Sequence, residues 1–237
     1  MEVIKDINII DKAIWLDKEK ILIIADLHIG YEEALNKQGI LVPRHQFKET
    51  KQQIIELFRK VRPKSIIING DLKHEFGEIS KQEWYETLNI LDLLLKNSEK
   101  VILVKGNHDT ILEPIANKKR IEIVEYFYIP KQKIIIIHGD KILTDYKLYE
   151  AKVIIIGHEH PSISLREGFK VEQYKCFLVG KWRDKELIVM PSFIPIIEGS
   201  DIRKEKILSP FIKDIEDFDV FIIGDKIYKF GKMKNIP

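Results

Sequence analysis

Five short stretches of this 237-residue sequence hold side chains that bind metals or move protons: Asp26-Leu27-His28, Gly70-Asp71, Gly106-Asn107-His108-Asp109, His138-Gly139 and Gly157-His158-Glu159-His160. Each alone has an ordinary explanation. An Asp after a strand is usually a turn residue or a helix N-cap. Asn107 or Asp109 could cap a short helix near 110–116, and a lone histidine is more often a satisfied structural group than a ligand. Together they call for another account, because five of the seven histidines fall inside these stretches. Imidazole, carboxylate and an amide oxygen suit borderline or hard divalent ions such as Mn, Fe or Zn. The single cysteine, Cys176, rules out a thiolate zinc cluster, and a donor set without sulfur argues against a closed structural zinc site. Two divalent cations would carry more positive charge than the carboxylates of Asp26 and Asp71 return, so the site would attract phosphate. Two such ions about 3.5–4 Å apart can clamp the attacking and leaving oxygens of an in-line displacement.

The elements that must position these side chains follow from the hydrophobic pattern. Each stretch stands just after an apolar run bounded by charge, which reads as a buried strand: Ile21–Ala25, Ser65–Asn69, Val101–Lys105, Lys133–Ile137 and Val153–Ile156. Ligands of open α/β sheets bind beyond the carboxyl ends of the strands, so all five stretches would gather at that edge. Ile7–Ile10 and Ala13–Leu16 read as a hairpin around Asp11-Lys12. A helix is expected over about 45–60, with Phe47, Ile54, Ile55, Phe58 and Val61 on one face. A second is expected over about 81–96, with a Trp84-Leu88-Leu91-Leu95 stripe. Ser80 and Glu83 would cap it reciprocally. After Pro161 strand signals dominate, at Ile163–Leu165, Tyr174–Val179, Leu187–Met190, Val220–Ile223 and Lys226–Phe230, the last two joined at Gly224-Asp225. This order fits either an α/β half followed by an all-β half, or two sheets packed face to face with helices outside. No linker rich in Pro, Gly or Ser interrupts the chain, so one domain over residues 1–237 is expected.

Composition narrows the class. Hydrophobic residues make up 45% of the chain, enough for a large core, and the formal net charge of +2 permits a nucleic-acid substrate without advertising one. A disulfide framework is impossible within a chain holding one cysteine, and Cys176, in an apolar run, reads as a core residue. The N-terminal residues carry no signal-peptide pattern and no apolar run reaches the ~18 residues of a membrane span. The expectation is a cytoplasmic protein with no membrane partner.

The ordered set Asp-x-His, Gly-Asp, Gly-Asn-His-Asp, His-Gly and Gly-His-x-His resembles the calcineurin-like metallophosphoesterase superfamily over residues 26–160. More narrowly, Ala25 to Tyr31, Asn69 to His74 and Gly157 to Pro161 look like archaeal phosphoesterases related to SbcD nucleases. That group also resembles a bacterial nuclease encoded beside DNA ligases and helicases. The resemblance implies an α/β (α+β) fold, a four-layer sandwich of two mixed β-sheets flanked by helices. It implies two divalent metal ions, with Mn expected first and Fe, Zn, Ni or Mg as alternatives. Asp26, His28 and His160 would hold one ion, Asn107, His138 and His158 the other, and Asp71 would bridge them. A metal-bridging hydroxide would attack phosphorus. His108 would stabilise the transition state or protonate the leaving oxygen, and Asp109 would orient it through its other ring nitrogen. The implied activity is a phosphodiesterase or nuclease acting on DNA, single-stranded DNA included, and a helicase or ligase association follows from the same resemblance. Too few residues follow His160 for the capping and ATPase-binding segments of SbcD-type nucleases. Lys73, His74, Arg44 and His45 are further candidates for phosphate or leaving-group contact, against the reading of a solvated loop. The loop from Met190 to Gly199 would either wall the site or only close the core. The alternatives are a phosphomonoesterase, a nucleotide or lipid-linked pyrophosphatase, a protein phosphatase, or a non-catalytic scaffold of the same fold.

Overall fold

The computed structural model describes residues 1–43, 45–75 and 79–236. The first sheet runs in chain order: β1 (Glu2–Ile4), β2 (Ile7–Ile10), β3 (Ala13–Leu16), β4 (Ile21–Ala25), β5 (Ser65–Asn69), β6 (Lys100–Val104) and β7 (Glu122–Val124). Its β1–β4 pairings are antiparallel and its β4–β7 pairings parallel. The second sheet is built from β8 (Phe127–Ile129), β9 (Ile134–Ile136), β10 (Val153–Ile156), β11 (Pro161–Glu167), β12 (Lys170–Trp182), β13 (Lys185–Val189) and β14 (Ser200–Asp201), with β15 (Asp219–Ile223) and β16 (Ile227–Lys232) added beside β12. In it β9, β10 and β13 are mutually parallel. The helices are α1 (Tyr31–Lys37), α2 (Gln46–Lys60), α3 (Lys81–Lys96), α4 (Glu113–Lys119) and α5 (Tyr146–Glu150).

The period-2 geometry of a strand sends alternate side chains to opposite faces, and here both faces are apolar. Leu22, Ile24, Ile66, Ile68, Val101 and Leu103 face α2, α3 and α4, packing on Ile54, Leu57, Ile90, Leu94 and Ile115. Their neighbours Ile23, Ile67, Ile102 and Val104 turn the other way and meet Ile155, Phe177, Ile188 and Phe221 of the second sheet. The outer face of that sheet packs Ile154, Ile156 and Leu178 against Leu148 of α5 and against Phe211 and Met233. The result is a four-layer arrangement of helices, sheet, sheet, and an outer cover of α5 with C-terminal segments. Fully burying one of these isoleucines contributes roughly 1.5–3 kcal/mol, and Ile67→Ala at the inter-sheet centre should cost about 2–5 kcal/mol. The late hairpins therefore form a second sheet stacked on the first, and the reading of two separate halves is overturned.

Some boundaries move for local reasons. β4, β5 and β10 match their expected ranges, as does α3, whereas β6 runs one residue earlier than 101–105, β9 is shorter than 133–137, and α4 begins at Glu113 rather than 110. Residues 106–109 are held in the site, and Pro114 in the first turn sets the start, where its missing N–H costs nothing. Only half of the expected capping box forms. Ser80 Oγ accepts from Glu83 N at 3.0 Å, but the Glu83 carboxylate accepts from His74 and Glu75 instead. Three residues, Gly224 to Lys226, close the β15–β16 hairpin rather than two. Among the described residues no helix is long and apolar enough to cross a membrane.

Candidate metal centre

Parallel pairing puts the carboxyl ends of β4, β5, β6, β9 and β10 at one edge of the two sheets, and the five motif stretches leave from there. The backbone bends sharply as it leaves. Asp26 (φ 53°), His28 (44°), Asp71 (42°), His158 (64°) and His160 (49°) all adopt the left-handed region. This costs a residue with a Cβ roughly 1–2 kcal/mol, and such strain concentrates at functional sites. At three motif glycines clearance matters as well, and Gly70 combines it with a φ of 80°. A Cβ on Gly70 would lie 1.9 Å from His138 Nδ1, one on Gly106 2.1 Å from Asp71 Oδ1, and one on Gly157 2.5 Å from Asp26 Oδ2.

The side chains so placed form two groups whose ligand atoms lie within 4.8 Å of one another: Asp26, His28 and His160, and Asp71, His138 and His158. Asp71 Oδ2 stands between them, 3.7 Å from His28 Nε2 and 3.5 Å from His138 Nε2. Asp26 Oδ2 is 3.6 Å from His160 Nε2, and Asp26 Oδ1 is 3.5 Å from His138 Nδ1. Asn107 Oδ1 lies 2.9 Å from His138 Nε2. His28, His74 and His108 make a third group of facing rings. Asp26 Oδ1 and His138 Nδ1 are buried without a hydrogen-bond partner. Such atoms cost about 1–3 kcal/mol each, and a cation ligated there would satisfy them. Nitrogen and oxygen donors, two carboxylates and no thiolate fit divalent metal ions.

The electrostatics point the same way. Burial opposes the ionisation of Asp26, but His160, His138 and His28 outweigh it and hold its carboxyl below the ordinary value. Burial pushes Asp71 up to about 9, with the neighbouring Asp26 and Asp109 carboxylates adding to it. Two facing carboxylates that split in this way titrate as a pair. Burial lowers His28 well below its usual value and His158 to about 4, in each case with a neighbouring histidine adding to it. Both imidazoles are thus neutral at neutral pH, the form that ligates metal.

His108 sits at the rim with its side chain 17% exposed and Nε2 3.9 Å from Asp71 Oδ2. Its ring is not oriented by Asp109. Asp109 Oδ1 accepts from Leu72 N at 3.1 Å and Oδ2 from Gly106 N at 3.0 Å, so this carboxylate ties together the loops after β5 and β6. The ring is held instead through Nδ1, 2.6 Å from the His74 carbonyl. Lys73 does not face substrate either. It is fully buried, donating to the carbonyls of His108 at 2.7 Å and of Glu75. The His74 ring stacks on His108 and meets Tyr31 edge-on. Arg44 lies outside the described residues. His45 stands at the start of α2, its N–H donating to Glu32 at 2.8 Å.

The Met190–Gly199 loop both closes the core and walls the site. Phe193 N donates to the carbonyls of Ala25 and Asp26, while Lys12 from the first sheet and Lys175 from the second bond the Phe193 and Ser192 carbonyls. Ile196 and Ile197 then line a groove with His160. The roles of two buried carboxylates escape sequence reasoning, since Glu83 reads there as half of a capping box and Glu159 as a spacer between histidines. Glu159, between two site histidines, accepts from Leu208 and Ser209 N–H, and Glu83 holds the backbone at residues 74 and 75.

A family model for calcineurin-like phosphoesterases matches residues 19–226 of the chain. Among solved structures, the fold is shared with the Pseudomonas putida nuclease MPE at 20% identity and a TM-score of 0.66, over 93% of this chain and 92% of that chain. Vacuolar protein sorting 29 from Cryptosporidium parvum matches at 16% identity and a TM-score of 0.40, over 90% and 97% of the two chains. A predicted phosphoesterase from Streptococcus pneumoniae matches at 16% identity and a TM-score of 0.36, over 88% and 91%. No curated protein sequence matches.

Proposed function

We propose that this chain, which belongs to the calcineurin-like phosphoesterase family, is a two-metal phosphoester hydrolase and, more finely, a phosphodiesterase or nuclease acting on DNA. One observation carries the reading: two groups of metal-type ligands adjoin, with Asp71 Oδ2 lying 3.7 Å from His28 of one and 3.5 Å from His138 of the other and His108 beside it at the rim. Asp26, His28 and His160 would hold one cation, Asn107, His138 and His158 the other, with Asp71 common to both. Bound divalent cations supply Lewis-acid charge for a phosphoryl group and an activated water. The chain's own residues do the rest. His28 and His158 are buried and neutral, the form that ligates metal, and Asp71 releases its proton as a cation binds. His108 commits Nδ1 to a backbone carbonyl, so any proton it passes to the leaving oxygen travels on Nε2. Attack by water makes one P–O bond as the bond to the leaving oxygen breaks; the water's proton passes to the free Nε2 of His108 and from there to the leaving oxygen, which returns the ring to its Nδ1–H form. The diester preference is supported by the partial exposure of His108 and His160, whose side chains are 17% and 18% exposed at the rim. A nuclease of the same fold is consistent with it.

A matrix of metals against substrates tests this. Mn, Fe, Zn, Ni and Mg are each paired with bis(p-nitrophenyl) phosphate, p-nitrophenyl phosphate and single-stranded DNA. Mn-stimulated cleavage of the diester and of DNA, abolished in Asp71→Ala, is expected. Monoester turnover alone would overturn the finer reading. Full activity in Asp71→Ala, or no activity and no bound metal throughout, would overturn the whole.

A further inference from the structure

Glu83 lies outside the five ligand-bearing stretches, yet the residue is 1% exposed and its carboxylate is bonded to the 74–75 backbone rather than to its own helix. Ser80 already caps α3, so helix capping does not account for burying a charge there. Room for it is kept by Gly30, where a Cβ would lie 2.8 Å from Glu83 Cγ and 2.9 Å from Cδ. Glu83 Oε1 accepts from His74 N at 3.1 Å and Glu75 N at 3.2 Å. This fixes the peptide carrying the His74 carbonyl, which receives the His108 Nδ1–H at 2.6 Å. Lys73, buried beside it, ties this segment to His108 by donating to the carbonyls of both His108 and Glu75. The His108 backbone N–H in turn donates to Asp71 Oδ1 at 2.9 Å. His108 is thus held at its amide, its carbonyl and its ring nitrogen, and two of those restraints run through Lys73 and the Glu83-anchored backbone.

We propose that Glu83, with Lys73, is a positioning residue for His108: it fixes the 74–75 backbone so that the His74 carbonyl sets the tautomer and direction of the His108 ring. This rests on the hydrolase reading above, in which His108 Nε2 faces the leaving oxygen. Neither residue touches substrate or the ligand set. Glu83 supplies an acceptor for two N–H groups, so what matters is an oxygen at that point rather than charge.

The test compares Glu83→Met, which removes the acceptor, with Glu83→Gln, which keeps one, in the metal-loaded full chain. Glu83→Met should lower kcat about 10–100-fold, the range for lost outer-shell support, with KM and metal stoichiometry unchanged. Glu83→Gln should recover most of that loss. In a His108→Ala background Glu83→Met should cause no further loss, since the coupling acts through that ring. Nitrogen-15 NMR of the ring should show His108 as the Nδ1–H tautomer in the native and Gln chains and as a mixture in the Met chain. This readout holds even if the chain turns over no phosphoester, which separates failure of this idea from failure of the hydrolase reading. An unchanged kcat and tautomer in Glu83→Met, or an equal loss in the His108→Ala background, would overturn the proposal. Should Glu83→Met not fold, Glu83→Asp withdraws the acceptor by one methylene and carries the same expectation.

Discussion

In the metal-free protein, Asp71→Asn should be stabilising, and increasingly so as pH rises. Burial, with Asp26 and Asp109 nearby, pushes Asp71 up to about 9, whereas an aspartate in the unfolded chain titrates near about 3.9. Below the unfolded value both states carry the proton. Between the two values the unfolded chain has released a proton that the native state retains. Native stability is therefore lost at about 1.4 kcal/mol per pH unit across that window. Asparagine has no such proton, so the advantage of the variant should grow by roughly 3 kcal/mol from pH 6 to pH 8. That corresponds to about 6–12 °C in Tm for a chain of this length. Lys175, lowered to about 6 by burial, and Lys12, lowered to about 8 by burial, tilt the wild-type curve the opposite way. Both are present in the variant, so the difference between the two proteins isolates Asp71. Urea denaturation of chelator-treated wild type and Asp71→Asn at pH 6, 7 and 8 measures it. A difference that stays flat or shrinks with pH would refute the electrostatic reasoning. Adding Mn should invert the order, because a cation at a thousand times its Kd stabilises the wild type by about 4 kcal/mol and the variant far less.

Three further outcomes follow from the same geometry. Gly106→Ala should abolish metal binding, measured by calorimetry, and cost about 2 kcal/mol or more, because the new Cβ meets the Asp71 carboxylate at 2.1 Å and its backbone nitrogen at 2.4 Å. His160→Gly and His160→Ala both remove a ligand, but the left-handed backbone at 49° should make the glycine chain about 1 kcal/mol more stable when metal-free, as read by thermal denaturation. Mass spectrometry of metal content should show His160→Ala and His158→Ala each retaining close to one ion where the wild type holds two; loss of both ions from each variant would deny that the two groups are separable.

The strands were legible because they are buried on both faces. Continuous runs such as Ile21–Ala25 and Ser65–Asn69 end where the expectation put them, and residues Asp26, Asp71, His138, His158 and His160 could be placed at one edge from parallel pairing alone. What sequence could not show is long-range geometry. That β8–β16 stack on the first sheet depends on how Phe177, Ile188 and Phe221 meet Ile23 and Ile67, and no local pattern states this. The orientation of His108 was misplaced for a similar reason. Asp109 is adjacent in sequence, but its oxygens are taken by Leu72 and Gly106 N–H, while the ring finds a carbonyl 34 residues away. Lys73 reads as a surface lysine in a polar loop until the fold closes over it. Helix α1 was missed because Gly30 at φ 93° starts it without a side-chain cap.

The metal edge is the least favourable part of this fold when considered without ions. Five ligand residues sit in left-handed backbone, two polar atoms are buried unpartnered, and a carboxylate is forced to retain its proton. At roughly 1–2 kcal/mol per strained residue, that strain rivals the whole net stability of an ordinary domain, about 5–15 kcal/mol. The isoleucine layers on both faces of each sheet offset it, since a handful of fully buried isoleucines supplies a comparable amount. The same atoms reverse sign when a cation is ligated: the unpartnered oxygen and nitrogen gain a partner, and Asp71 and Asp26 no longer repel. Metal binding should therefore account for a large share of native stability above neutral pH, where Asp71 is driven to ionise. Asp71's own contribution to the metal-free chain should be least favourable under the alkaline conditions in which the loaded chain binds its ions most tightly.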